Sequence, residues 1–114
     1  MTLLVDAANV VGSRPDGWWR DRAGATSRLL DRLAQLDDEV VAVVEGRARD
    51  VPEVPGVRLV RATGSGDDAL VAEAAELPGP LVVVTADRGL RARLPAGATV
   101  HGPGWLLDRL DALA

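Results

Sequence analysis

The sequence predicts an α/β domain: a three-layer α/β/α sandwich around a central, mainly parallel five-stranded sheet. Three observations lead there. First, Leu3-Leu4-Val5, Val40-Val41-Ala42-Val43-Val44 and Leu81-Val82-Val83-Val84 are apolar without interruption. Continuous rather than alternating runs mark strands of a parallel sheet covered on both faces. Second, strand-like and helix-like segments follow the order β-α-β-β-α-β-α-β-α, which implies right-handed crossovers between parallel strands. Third, the apolar runs end at acids: Asp6, Glu45 and, through Thr85-Ala86, Asp87. Sites in open α/β sheets lie beyond the carboxyl ends of the strands. Carboxylates from distant parts of the chain would therefore meet at one edge. They would repel one another, and a divalent metal is the obvious offset.

The elements follow in order. The first strand spans about Leu3 to Asp6. A loop from Asn9 to about Gly24 carries the breakers Gly12, Pro15 and Gly17. The first helix runs from about Ala25 to Leu36, with Leu29, Leu30, Leu33 and Leu36 at helical spacing. Asp37-Asp38 closes it, and the second strand is Val40 to Glu45. The third strand, Val57 to Arg61, alternates and so suits an edge. Thr63-Gly64-Ser65-Gly66 is a flexible lead into a helix from Asp67 to about Leu77, with Asp67 or Asp68 at its start and Pro78-Gly79-Pro80 as its stop. The fourth strand is Leu81 to Thr85, and a third helix is expected from Asp87 to Leu94. A short strand around Thr99 to His101 precedes a last helix, opened by Pro103 and running through Ala114.

The chain has 114 residues, enough for one domain spanning 1–114 and short of two. No run is long enough to span a membrane, and the first strand begins almost at Met1, so a cytoplasmic location is the default. With no cysteine, a disulfide framework and a Cys-based zinc site are excluded. The net charge of −4 argues against a highly basic nucleic-acid coat protein, but not against an enzyme with its acids gathered in one pocket. All thirteen basic residues are Arg. Chemistry that requires Lys, such as a P-loop or a Schiff base, is excluded.

Three short motifs carry the chemistry. In Asp6-Ala7-Ala8-Asn9, a carboxylate ends a buried strand, where it is costly unless paired or metal-bound. Asn9 orients it or takes a turn conformation of its own. In Gly64-Ser65-Gly66-Asp67-Asp68, two acids at a helix start exceed the one that a cap needs. Either Asp68 aims into the site while Asp67 caps, or the reverse. In Val84-Thr85-Ala86-Asp87-Arg88, Asp87 lies just past a strand, and Arg88 can pair with a phosphate. Each acid alone is more often a turn or cap residue, but their convergence on one edge is harder to explain that way. The Asn9–Arg22 loop adds Arg14, Trp18, Trp19, Arg20 and Arg22. Either one Trp plugs the base of the first helix and the arginines are solvated, or Arg14 and one Trp, Trp18, grip a phosphate and stack a base. Arg47, Arg49 and Arg91 are weaker candidates. His101, the only His, reads as structural or incidental.

The motifs Leu4-Val5-Asp6-Ala7-Ala8-Asn9, Gly66-Asp67-Asp68-Ala69-Leu70-Val71 and Val83-Val84-Thr85-Ala86-Asp87-Arg88, in that order, resemble the NYN branch of the PIN-like nucleases. The likeness spans nearly the whole chain. It implies strand order 3-2-1-4-5 and a Mg²⁺- or Mn²⁺-dependent ribonuclease that hydrolyses RNA phosphodiester bonds. Asp6, Asp68 and Asp87 match the metal-binding acids, and Asn9 the polar partner; Glu45, Asp67 and Thr85 are auxiliary. The chain departs from the pattern in one respect. Many PIN domains carry a Glu inside the helix after the first strand, and here the first helix offers only Asp31. Glu45 or Asp67 is the available substitute.

Two other readings compete. One is an RNA-binding module of the same fold with weak or lost catalysis. The other is a small nucleotide-binding or phosphohydrolase α/β domain, weakened by the missing P-loop, Gly-x-Gly-x-x-Gly turn and Asp-x-Asp pair. RNA is the expected partner and a membrane is not. The assembly state is open, a homodimer included.

Overall fold

In the computed structural model, which describes residues 1–113, five strands make one sheet. They are β1 (Thr2–Asp6), β2 (Glu39–Val44), β3 (Val57–Arg61), β4 (Leu81–Val84) and β5 (Ala98–His101). Their order is β3-β2-β1-β4-β5, and all four strand pairs are parallel. Leu4 stands opposite Val41 on one side and Val83 on the other, so β1 is the centre of the sheet.

The uninterrupted apolar runs are explained by burial on both faces. Alternate residues of each strand enter different cores. Leu3, Val5, Val40, Ala42, Val44, Val82 and Val84 pack on one face. That face is covered by α1 (Ala7–Val11), α2 (Arg22–Leu33) and α4 (Pro103–Asp111), through Val10, Leu29, Leu30, Leu33, Leu106 and Leu110. Leu4, Val41, Val43, Leu81 and Val83 pack on the other, beneath Leu70 and Ala74 of α3 (Gly66–Glu76) and Leu90. The sandwich has the three layers that the alternation implies. No helix of the described residues is long and apolar enough to cross a membrane.

Several boundaries differ from the sequence reading. The expected loop after β1 holds α1, which starts directly at the strand's end because Asp6 caps it. It also holds a 3₁₀ turn, Trp18–Arg20. Helix α2 begins at Arg22, before Ala25, because the Gly24 N–H donates to Asp21 Oδ1 at 2.9 Å. It ends at Leu33, and Leu36 reaches the core from the turn beyond. The segment expected as a helix from Asp87 to Leu94 is a 3₁₀ stretch, Arg88–Arg93. Gly89 lowers its helix propensity, and Pro95 disfavours the α conformation at Leu94. Helix α4 ends at Asp111, and Ala114, expected within it, lies outside the described residues.

The chain builds outward from β1 to β2 and β3, then returns to β4 and β5. The switch therefore falls between β1 and β4, and sites of open α/β sheets lie at such a point, beyond the carboxyl ends of the strands.

Candidate active site

At this switch point Asp6 ends β1 and is only 3% exposed. Its Oδ1 accepts the Asn9 backbone N–H at 3.4 Å, the capping bond of α1. Its Oδ2 accepts a short bond from Asn9 Nδ2 and a second from Thr85 Oγ1 at 3.1 Å. Thr85, just past β4, accepts the Asp87 N–H on the same hydroxyl at 3.1 Å. One hydroxyl thus ties the ends of β1 and β4 together and sets where Asp87 begins. Asp87 Oδ1 accepts the Gly89 N–H at 2.9 Å and caps the 3₁₀ stretch.

Glu45 joins this group from the end of β2. Its Oε2 accepts the Gly66 N–H, the first of α3, at 2.8 Å. A Cβ at this position would lie 2.6 Å from the Glu45 carboxyl carbon, so glycine is what lets that carboxylate sit against the helix start. The cap of α3 is Ser65, whose Oγ accepts the Asp67 N–H at 3.2 Å. Neither Asp67 nor Asp68 caps the helix, contrary to the sequence reading.

The two acids then diverge, because consecutive helical residues point about 100° apart. Asp67 turns to the sheet edge, where the charges of Asp87 and Asp6 act on it. Asp68 turns away: its Oδ1 accepts from Arg93 Nη2 at 2.8 Å, and its side chain is 71% exposed. The structure therefore brings together Asp6, Glu45, Asp67 and Asp87, with Asn9 and Thr85 as polar supports. It places Asp68 outside that group, so of the expected trio Asp6 and Asp87 come together, and the acid that joins them from α3 is Asp67. The signal was in the sequence. Ser65-Gly66-Asp67-Asp68 matches the Ser-x-x-acid pattern of a helix start, which makes Ser65 the cap.

The electrostatics follow from crowding. Burial pushes the Asp6 carboxyl above its ordinary value; hydrogen bonds from Asn9 and Thr85 draw it back, and the Glu45 charge adds to the rise. Burial also raises Asp67. The Asp87 and Asp6 charges and a hydrogen bond with Asp87 raise it further, while Arg93 opposes the shift. Excess negative charge sits here with little protein cation to offset it.

The donor set is carboxylate, amide and hydroxyl oxygen, the hard ligands that Mg²⁺ and Mn²⁺ take. Among the described residues no three His, Asp or Glu side chains stand close enough to close on one bare ion. Mg²⁺ keeps several of its waters and binds through one or two carboxylates. Spread acids around a hydrated ion are compatible with that habit, and in this sense the residues fit such a cation.

The expected RNA contacts fare unevenly. Arg14 Nη2 donates to Asp111 Oδ2 at 2.8 Å, and Arg32 holds the other oxygen at 2.7 Å. Arg14 is thereby engaged with the end of α4, and the two guanidiniums hold Asp111 below the ordinary carboxylate value. Arg88 is exposed beside Asp87 and makes no ion pair among the described residues. Trp18 is half-buried, with the Arg22 guanidinium 5.2 Å from its ring centre and Trp19 edge-on at 5.9 Å. It walls a cavity of about 290 Å³ that reaches Glu45, and Arg47 lines that cavity too. His101 stacks on Trp105 with ring centres 4.3 Å apart, in agreement with a structural role.

This sheet order, with acids at its switch point, defines a three-layer α/β fold with a parallel five-stranded sheet. Among solved structures, Rae1 (YacP) from Bacillus subtilis shares it at a TM-score of 0.80 and 17% identity, over 99% of this chain and 75% of that one. A single-substitution variant of Rae1 aligns at a TM-score of 0.74 and 19% identity, over 98% of this chain and 76% of that one. No protein-family profile matches the sequence, and no curated protein does.

Proposed function

We propose that the protein is a metal-dependent ribonuclease of the PIN-like kind, hydrolysing RNA phosphodiester bonds at the Asp6 site. The observation that carries this reading is the convergence of Asp6, Glu45, Asp67 and Asp87 from four separate segments on one crevice. The ribonuclease-like fold shared with Rae1 is consistent with it. So is the resemblance of the three motifs.

Asp6, Asp67 and Asp87 are the acids we assign to a Mg²⁺ or Mn²⁺ ion, with Glu45 beside them. Such an ion, when bound, activates water and neutralises charge on the scissile phosphate. The chain's own part is positioning. Asn9 and Thr85 fix the Asp6 carboxylate by hydrogen bonds to Oδ2. Ser65 fixes the start of α3 and thus the direction of Asp67. Burial and the neighbouring Asp87 and Asp6 charges raise the Asp67 carboxyl, a repulsion that a bound cation would relieve. RNA as substrate goes with a cytoplasmic setting.

The second reading, an RNA-binding module with weak catalysis, draws on the spread of the acids. The test is cleavage of generic single-stranded and structured RNA across a Mn²⁺ titration. Cleavage that needs Mn²⁺ and disappears in Asp6→Asn supports the enzyme. Binding without cleavage in any metal supports the module. Turnover of free nucleotides without any action on RNA would refute both.

A further inference from the structure

We infer that the cavity beneath Trp18 is a base-binding subsite, which takes one unpaired nucleobase of single-stranded RNA beside the acidic crevice. The inference rests on the ribonuclease reading and deepens it.

The cavity lies between α1, the start of α2 and the turn after β2. Its apolar wall comes from Ala7, Val11, Val44 and Ala48, and Trp18 supplies an aromatic one. Ala7 follows Asp6 directly in the chain, and Glu45 belongs to both the cavity and the acidic group. The two spaces are therefore neighbours. At about 290 Å³ the cavity falls just below the range of roughly 300–1,000 Å³ typical of small-molecule pockets. That suits one base and not a folded oligonucleotide.

Charge specifies the occupant further. Arg22 and Arg47 both line the cavity, and neither makes an ion pair among the described residues. Arg14, Arg32, Arg58, Arg93 and Arg109 are all committed to carboxylates. Arg22 already lies over the Trp18 ring at 5.2 Å, and neither it nor Arg47 is held by a carboxylate, so two guanidiniums at the rim of an apolar, Trp-walled hollow match a base with its flanking phosphates. An apolar ligand would leave both charges unused. A duplex would not enter, because its bases are already stacked and paired. Stacking on Trp18 accepts any base, since every base has a π face, so no base identity is assigned.

The test is binding of a short fluorescein-labelled oligoadenylate by anisotropy in EDTA, where nothing is cleaved. Trp18→Ala is expected to weaken binding by about 5- to 150-fold, the loss of one base–aromatic stack. Trp19→Ala, whose side chain is 52% exposed and does not line the cavity, is expected to bind as wild type does. A second series keeps the protein wild-type and moves a single abasic ribose along the oligonucleotide. One position should reproduce the Trp18→Ala loss, and combining the two should add little. That series stands even if Trp18→Ala does not fold. Equal binding by all abasic positions, or equal tolerance of duplex and single strand, would overturn the subsite. If cleavage by wild type still required Mn²⁺ and Asp6, the subsite alone would fall. If wild type neither bound nor cleaved RNA, the ribonuclease reading would fall with it.

Discussion

Thr85→Val removes one hydroxyl while nearly keeping the side chain's shape, so its cost reports on the hydrogen bonds alone. The hydroxyl is 4% exposed; it donates to Asp6 Oδ2 and accepts from the Asp87 N–H, both at 3.1 Å. A hydrogen bond to a charged group contributes about 1.5–3 kcal/mol and a neutral one about 1 kcal/mol. Asp87 is only half-buried, so water can serve its N–H in the variant. The expected loss at neutral pH is therefore about 1.5–3 kcal/mol, from the bond to Asp6, a sizeable part of the roughly 5–15 kcal/mol that holds a domain folded. With a urea m-value of about 1–3 kcal/mol/M, the midpoint should fall by on the order of 1–2 M with m unchanged. The loss should shrink in acid, where Asp6 takes up its proton and the bond ceases to be charge-assisted. The assay is urea unfolding of both proteins across acid to neutral pH. A cost below about 0.5 kcal/mol, the range of ordinary surface substitutions, would refute the bridging role of Thr85. So would a cost independent of pH.

Further predictions concern the acids and the core. The Asp67 carboxyl is raised above 3.8, so it binds its proton more tightly folded than unfolded. Stability from that source is complete below 3.8 and is lost as the pH rises through the folded value. Asp67→Asn should therefore raise the Tm near neutral pH and give no gain in acid, as thermal melts across pH would show. Gly66→Ala places a Cβ 2.6 Å from the Glu45 carboxyl and should displace that side chain. Its RNA cleavage should fall more than its urea midpoint does; unchanged cleavage would remove Glu45 from the site. Leu70→Ala opens a cavity between α3 and the sheet, where Leu70 is fully buried. It should cost about 2–5 kcal/mol in urea unfolding and leave cleavage by the folded fraction intact.

The sheet was legible because burial on both faces leaves no polar positions inside strands, and three such runs stand out in the chain. The site was legible where a strand end dictates the direction of a side chain. Asp6 follows β1 in register, and Asp87 follows β4 with Thr85 between, so their convergence could be anticipated. In α3 the direction depends on helical phase, and phase depends on which residue caps. With Asp67 or Asp68 taken as cap the phase was lost; with Ser65 as cap, Asp67 turns inward and Asp68 meets Arg93. Glu45 ranked low because a strand end was its only argument. What joins it to the site, the Gly66 N–H, comes from a residue distant in sequence. The partner of Arg14 was hidden for the same reason, since Asp111 lies 97 positions away. The segment after Asp87 was misread because Gly89 and Pro95 disfavour an α-helix where strand–helix alternation suggested one.

The most direct test of the account is Mn²⁺-dependent RNA cleavage by Asp67→Asn beside Asp68→Asn. Asp68 makes an exposed pair with Arg93, a type of contact that contributes about 0–1 kcal/mol, so its variant should fold and cleave nearly as wild type does. Asp67→Asn should fold and lose cleavage. Loss of activity in Asp68→Asn with activity kept in Asp67→Asn would contradict the site described above.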